Sequence, residues 1–131
     1  MNKSKQGKFI FIMGKHICIL EDDPGISDII EILLSEEGYQ VEGYTTINDF
    51  FSKKNSKPDL FILDVMLPDG DGLEVCRLLK SDHTTKHIPV MMMSAHADLA
   101  KMTSGCTAEE YVTKPFDIHV LLRKISRQIN S

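Results

Sequence analysis

The stretch Leu60-Phe61-Ile62-Leu63-Asp64 decides the fold, because four successive apolar residues are followed at once by a carboxylate. Two other runs have the same continuous apolar character, Ile17–Leu20 and Val90–Met93. An uninterrupted run of this length is typical of a strand that is covered on both faces, as the strands of a parallel sheet are. We therefore expect these runs to be the central strands of a parallel sheet.

Segments with helical periodicity lie between the apolar runs. Three apolar stripes recur at helical spacing, namely Ile26/Ile29/Ile30/Leu33/Leu34, Val75/Leu78/Leu79 and Ile118/Leu121/Leu122/Ile125/Ile129. Gln40 to Tyr44 and Glu110 to Thr113 are weaker strand candidates. Strand and helix thus alternate five times, which predicts an α/β fold: a doubly wound, five-stranded parallel sheet flanked by five helices.

Polar and glycine residues mark the expected helix boundaries. Asp23 before Pro24 is typical of an N-cap followed by proline at the first helical position, and Asp117 is expected to cap the last helix. Asp71 is followed three residues later by Glu74, which resembles a capping box. Gly38 is expected to end the first helix.

Composition and charge exclude several classes of protein. The chain has 131 residues, 42% of them hydrophobic, which fits one globular domain. Its net charge is −4, and none of its 19 acidic residues lies in the first fifteen positions, so the body is acidic and we expect no direct DNA binding. The apolar run Phe9–Met13 is too short to cross a membrane. Three widely spaced cysteines predict no disulfide framework and favour a reducing, cytoplasmic compartment.

Residues 1–14 are predicted to be an N-terminal extension, disordered or partly docked. Met1 to Lys8 is polar and basic, which is typical of a disordered terminus. Two interpretations of Phe9–Met13 stay open. The segment is either an added edge strand or docking arm, or it precedes the true start of the protein at Met13.

Polar side chains follow four of the predicted strands. These are Glu21, Asp22 and Asp23 after the first run, Asp64 after the third, Ser94 after the fourth and Lys114 after the fifth. Because the carboxyl ends of parallel strands meet at one edge of the sheet, we expect these groups to converge there. Crowded carboxylates need a cation, and oxygen ligands with open positions suit Mg²⁺. Asp23 is expected to serve as the N-cap rather than as a metal ligand.

Residues 15–131 resemble the receiver domain of bacterial two-component response regulators. The resemblance rests on four motifs in order: His16–Pro24, Pro58–Gly72, Ile88–Ala95 and Tyr111–Phe116. It implies the flavodoxin-like strand order 2-1-3-4-5. It also implies a phosphorylation-dependent signalling switch that catalyses only its own phosphorylation and dephosphorylation.

The resemblance implies a role for each matching residue. Asp64 would accept the phosphoryl group from a sensor histidine kinase or a histidine phosphotransfer protein. Mg²⁺ would be held by Glu21, Asp22, Asp64 and the backbone carbonyl of Met66, with Asp22 the more direct ligand of the acidic pair. Lys114 would bind the phosphoryl oxygens, and Ser94 and Tyr111 would transmit the change. The Lys114–Pro115 peptide is expected to be cis.

The sequence leaves open both the output of the switch and two alternative functions. The output is expected to be either a downstream protein target or an output domain missing from this chain. Two other functions stay open, a receiver-like binding module without phosphorylation and a phosphohydrolase with an aspartate nucleophile. Such hydrolases place a second aspartate two residues after the nucleophile, where this chain has Met66.

The stretch between Ser94 and Lys114 is about two residues shorter than the resemblance implies, so we expect the fourth helix to be short, frayed or displaced.

Overall fold

The computed structural model describes residues 14–53, 57–95 and 105–130. The strands in this part of the chain are β1 (His16–Leu20), β2 (Gln40–Tyr44), β3 (Leu60–Asp64), β4 (Met66–Leu67), β5 (Gly70–Asp71), β6 (Val90–Ala95) and β7 (Glu110–Lys114). The helices are α1 (Pro24–Glu36), α2 (Ile47–Lys53), α3 (Gly72–Ser81) and α4 (Ile118–Ile129).

The long strands form one parallel sheet in the order β2-β1-β3-β6-β7. Because β4 and β5 pair only with each other, in a short antiparallel hairpin, this is the expected 2-1-3-4-5 order of a doubly wound fold. The fold prediction is therefore confirmed. The expected fourth helix falls on residues 96–104 and the N-terminal extension on residues 1–13, both outside the described residues.

The sheet is covered on both faces, as the continuous apolar runs predict. In β3, Phe61 and Leu63 pack into the cluster under α2 and α3, whereas Leu60 and Ile62 pack into the cluster under α1 and α4. Every residue of β3 is buried, and burial of a large apolar side chain contributes about 1.5–3 kcal/mol. The three methionines of β6 divide between the two faces in the same way, which confirms that they are core residues.

The helix boundaries follow the polar residues identified in the sequence. Asp23, Asp71 and Asp117 each accept backbone N–H groups of the helix that they precede. Gly38 follows α1 with φ +98°, in the left-handed region that favours glycine. The Asp71 carboxylate accepts the Leu73 N–H, and the Glu74 side chain pairs with Arg77.

The β4–β5 hairpin folds back over the end of β3 and is fastened at two points. The Asp69 carboxylate accepts the N–H groups of Ile47 and Asn48 at the start of α2, at 2.9 and 3.0 Å. Gly72 donates its N–H to the Val65 carbonyl at 2.7 Å. A Cβ atom on Gly72 would lie only 1.8 Å from the Asp64 carbonyl oxygen, so no other residue fits this backbone approach.

The structure corrects one expectation about the cysteines. Cys76 and Cys106 are joined by a disulfide, so the expectation that the widely spaced cysteines form none is wrong for this pair. The pairing was missed because the two residues are 30 positions apart and approach only through the packing of α3 against the segment before β7.

Among the described residues, no helix combines the length and the apolar character that crossing a membrane requires.

Replacing Gly72 by alanine should destabilise the protein strongly. The added Cβ collides with the Asp64 carbonyl, so the hairpin or the start of α3 must move, and we expect the free energy of unfolding to fall by roughly 3 kcal/mol or more. Gly43→Ala is the matched control, because a Cβ there meets nothing closer than 3.7 Å, and its effect should stay within about 1 kcal/mol. Urea unfolding measures both; similar losses would contradict the collision.

Asp69→Asn should change the pH dependence of the free energy of unfolding, because the ionised Asp69 carboxylate holds the β4–β5 hairpin to α2. The N–H groups of Ile47 and Asn48 lower the pKa of Asp69 from 3.8, so its ionised form stabilises the folded state. This contribution is present above the unfolded-state pKa and disappears as the pH falls through the lower folded-state value. The stability difference between wild type and variant should therefore shrink on acidification. A difference that stays constant across this range, measured by urea unfolding, would contradict the assignment.

Candidate functional site at the carboxyl edge of the sheet

Four strands deliver polar side chains to one edge of the sheet. Glu21 and Asp22 follow β1, Asp64 is the last residue of β3, and Lys114 is the last residue of β7. Ser94 lies near the end of β6, one residue beyond Met93, which is the register partner of Asp64. The parallel register places all these positions at the same end of the strands.

The three carboxylates of Glu21, Asp22 and Asp64 form one cluster. Each offers an oxygen atom, and these oxygens lie within 4.8 Å of one another. Glu21 is fully buried and Asp64 is 6% exposed, whereas Asp22 is open to solvent. The cluster is therefore a pocket of negative charge with an entrance on the side of Asp22.

Lys114 supplies the positive charge at the buried side of the cluster. Its Nζ lies 2.5 Å from Glu21 Oε1 and 3.3 Å from Asp64 Oδ2. The other Glu21 oxygen, Oε2, accepts the backbone N–H of Asp23 at 3.2 Å. The Lys114–Pro115 peptide that follows is cis. Glu21 is thus held from both sides, by the Lys114 ammonium and by the Asp23 backbone N–H.

The pKa directions follow from this arrangement. Burial raises the pKa of Glu21, and Lys114 opposes that rise. Burial, together with the neighbouring Glu21, also raises the pKa of Asp22. For Lys114, burial acts to lower the pKa, but the hydrogen bonds and charges of Glu21 and Asp64 outweigh it and the pKa is raised. Three carboxyl groups therefore share one ammonium group at this site.

Ser94 and Tyr111 occupy separate positions on the neighbouring strands β6 and β7. Ser94 is buried at 1% exposure and pairs in register with Thr113 of β7. Tyr111 pairs with Met92, and its hydroxyl donates a hydrogen bond to the Cys106 carbonyl at 2.8 Å. In this structure the Tyr111 hydroxyl is therefore held by the segment that precedes β7.

Met66 lies in the hairpin that follows β3, two residues after Asp64. It is the first residue of β4 and pairs with Asp71. Its side chain is 69% exposed, at the position where an aspartate-dependent hydrolase would carry a second carboxyl group. Asp23, in contrast, is engaged as the N-cap of α1 through Gly25 and Ile26, as expected.

Two features of the site could not be read from the pattern of residues. The direct Lys114–Glu21 pair joins positions 93 residues apart, and the sequence analysis directed Lys114 toward a ligand instead. The contact of Gly72 with the Asp64 backbone was also missed, because a glycine in Asp-Gly-Asp-Gly reads only as part of a turn.

The donor set suits a small, hard divalent cation. Three carboxylates offer only oxygen ligands, and each carboxylate oxygen keeps lone-pair capacity beyond the hydrogen bonds it already accepts. The excess negative charge at the cluster is the second feature that a cation would compensate. Both oxygens of Glu21 already accept hydrogen bonds, which leaves Asp22 and Asp64 as the residues best placed for direct coordination.

Comparison with known proteins identifies the family. The family model described as the response regulator receiver domain matches residues 17–126. A similar curated protein, the DNA-binding dual master transcriptional regulator RpaA of Synechocystis, is 38% identical over 112 residues; the match covers 83% of this chain and 46% of RpaA.

Solved receiver domains have the same fold. The receiver domain of a signal transduction histidine kinase from Syntrophus aciditrophicus is 31% identical, with a TM-score of 0.78 and coverage of 89% of this chain and 91% of that one. The receiver domain of a sensor histidine kinase from Pseudomonas aeruginosa PAO1, which holds a magnesium ion in its active site cleft, is 27% identical with a TM-score of 0.80. That match covers 90% of this chain and 99% of the other.

The chain spans about half the length of the curated relatives that it matches. The family match, in contrast, covers most of the present chain, and solved receiver domains share its fold. The chain belongs to the response regulator receiver domain family.

Proposed function

We propose that Asp64 accepts a phosphoryl group from a phosphohistidine protein, and that the chain is a phosphorylation-dependent signalling switch in the cytoplasm. One observation carries the proposal. Asp64 ends a fully buried strand with its carboxylate in a three-carboxylate cluster, and the Lys114 ammonium lies 3.3 Å from its Oδ2. The family supplies the reaction class, since receivers act in two-component signalling rather than as turnover enzymes.

The proposed transfer makes one bond and breaks one. A carboxylate oxygen of Asp64 attacks the phosphorus of the donor phosphohistidine, the P–N bond breaks, and the electron pair stays on the histidine nitrogen. Asp64 then carries an acyl phosphate. Lys114 is close enough to Asp64 Oδ2 to bind the transferred oxygens as a point charge, and this would draw it away from Glu21.

Glu21, Asp22 and Asp64 are the residues that would hold Mg²⁺, together with the Met66 backbone carbonyl. When bound, Mg²⁺ supplies positive charge that screens the carboxylates and the incoming phosphoryl oxygens. The firm hold of Lys114 and the Asp23 N–H on Glu21 favours Asp22 as the direct ligand of the acidic pair.

Ser94 and Tyr111 are proposed to transmit the change. The Ser94 hydroxyl is buried on β6, next to the register partner of Asp64, and is suited to donate a hydrogen bond to a phosphoryl oxygen. Movement of Ser94 opens space on the neighbouring strand, into which the Tyr111 ring turns. That turn requires the Tyr111 hydroxyl to leave the Cys106 carbonyl. The change is then exposed on the surface around β7.

The proposed partners are a histidine kinase or phosphotransfer protein upstream and either a protein target or an output domain downstream. RpaA is named as a DNA-binding regulator and is about twice as long as its match to this chain. We propose that the 131 residues of this chain do not themselves bind DNA, because their net charge is −4 and residues 16–131 carry 11 basic against 19 acidic side chains.

Incubation with a small acyl phosphate and Mg²⁺ tests the central proposal. Wild type should gain one phosphoryl group in its intact mass, and Asp64→Asn should gain none. Asp23→Asn is the matched control, because asparagine preserves the N-cap of α1, and it should be phosphorylated like wild type. Absence of any adduct on wild type would instead indicate a binding module, and turnover of the donor without an adduct would indicate a hydrolase.

Asp22→Asn should weaken Mg²⁺ binding by roughly tenfold or more, because it removes the carboxylate that is most open to solvent at the cluster. Asp23→Asn removes an equal charge one residue away but no cluster oxygen, so its effect should be several times smaller. Isothermal titration calorimetry measures both affinities. Equal weakening by the two substitutions would show a general charge effect and contradict the assigned ligand.

A further inference from the structure

The disulfide between Cys76 and Cys106 joins α3 to the segment whose backbone carbonyl holds the Tyr111 hydroxyl. Cys76 lies on α3 and is fully buried, and Cys106 lies in the segment before β7 and is 9% exposed. Their Cα atoms are 6.2 Å apart, within the usual range for a disulfide. Cys18 is buried on β1 and lies outside this pair.

The segment around Cys106 is held to α3 by more than the disulfide. The Arg77 side chain, one turn into α3, donates a hydrogen bond to the Gly105 carbonyl. Gly105 also packs on Leu73, so closely that an added Cβ would lie 2.9 Å from a Leu73 methyl group. Gly105 and Cys106 therefore remain next to α3 when the cysteines are reduced, which keeps the two thiols close enough to be oxidised again.

The backbone of Cys106 also holds the Tyr111 side chain. The Tyr111 hydroxyl donates to the Cys106 carbonyl at 2.8 Å, and Tyr111 is the residue whose rotation the proposed function requires. The acceptor of this hydrogen bond belongs to a residue that is covalently tied to α3. A disulfide at this point therefore restrains both the segment and the tyrosine that it holds.

We propose that Cys76 and Cys106 are a reversible thiol–disulfide pair, and that oxidation of this pair restrains the phosphorylation switch by holding the Cys106 carbonyl in place for Tyr111. The regulatory half of this inference rests on the proposed function of Asp64. A reversible pair is also compatible with a cytoplasmic location, where thiols are kept reduced and disulfides are transient.

Hydrogen peroxide is the proposed oxidant, because it is close to water in size and Cys106 is only slightly exposed. The Cys106 thiolate attacks one peroxide oxygen, the O–O bond breaks, and Cys106 becomes a sulfenic acid while hydroxide leaves. The Cys76 thiolate then attacks the Cys106 sulfur and displaces a second hydroxide. Two thiols and one peroxide thus give one disulfide and two waters. A dithiol reductant returns both thiols by exchange.

The first experiment tests the pair on the unphosphorylated full chain. Brief peroxide treatment should remove two hydrogen atoms from the intact mass of wild type, and a dithiol should restore them. Cys106→Ser and Cys76→Ala should not lose them, and Cys18→Ala should behave like wild type. Cys106→Ser is the milder of the two pair variants, because Cys106 is the less buried partner. If Cys76 and Cys106 keep titratable thiols under peroxide, the pair does not exist.

The second experiment tests the regulation. With a small acyl phosphate and Mg²⁺, the oxidised protein should reach a phosphorylated-to-unphosphorylated ratio about fivefold or more below that of the reduced protein. Dithiol treatment should restore it, which separates this effect from methionine oxidation, since dithiols do not reverse that lesion. Cys106→Ser should show no peroxide effect. Equal ratios in a proven disulfide form and in the reduced form would overturn the coupling.

Failure of the proposed function has a different signature. If neither redox form accepts a phosphoryl group, the assignment of Asp64 fails, and the restraint is judged from amide hydrogen exchange over residues 105–111. Exchange there should be roughly tenfold faster in the reduced protein than in the oxidised one. Equal exchange in both forms would overturn the restraint as well.

Discussion

The Lys114 ammonium between Glu21 and Asp64 is the interaction on which the site depends. The carboxylates of Glu21 and Asp64 are brought together at this edge of the sheet, and burial disfavours the ionised form of Glu21. Lys114 offsets part of that cost by contacting both of them. Because the three residues come from β1, β3 and β7, this pairing also ties the middle of the sheet to its edge.

Much of the fold could be predicted from the sequence, because a strand that is buried on both faces requires an uninterrupted run of apolar residues. A run such as Leu60–Leu63 has no polar alternation, and only a strand between two helical layers explains it. The β4–β5 hairpin was not predicted, since each of its strands has two residues and carries no periodicity. Its position is set by tertiary contacts, namely Asp69 with α2 and Gly72 with β3.

The convergence of the polar side chains at one edge of the sheet could also be predicted, because it follows from the parallel direction of the strands. The rule that parallel strands end at one edge places Asp64 near Glu21 without any knowledge of side-chain contacts. Which contacts form depends on separations of a few ångströms, and sequence spacing does not encode them. For this reason the sequence predicted neither the pairing of Lys114 with Glu21 nor that of Cys76 with Cys106.

The edge position of β7 has a consequence for how the site is assembled during synthesis. Within the five-stranded sheet β7 pairs only with β6, and it carries Lys114, the cation that contacts Glu21 and Asp64. Glu21 and Asp64 leave the ribosome before Lys114 does, so a nascent chain that lacks β7 holds two carboxylates without their counter-charge. Their attraction for Lys114 then favours docking of the edge strand.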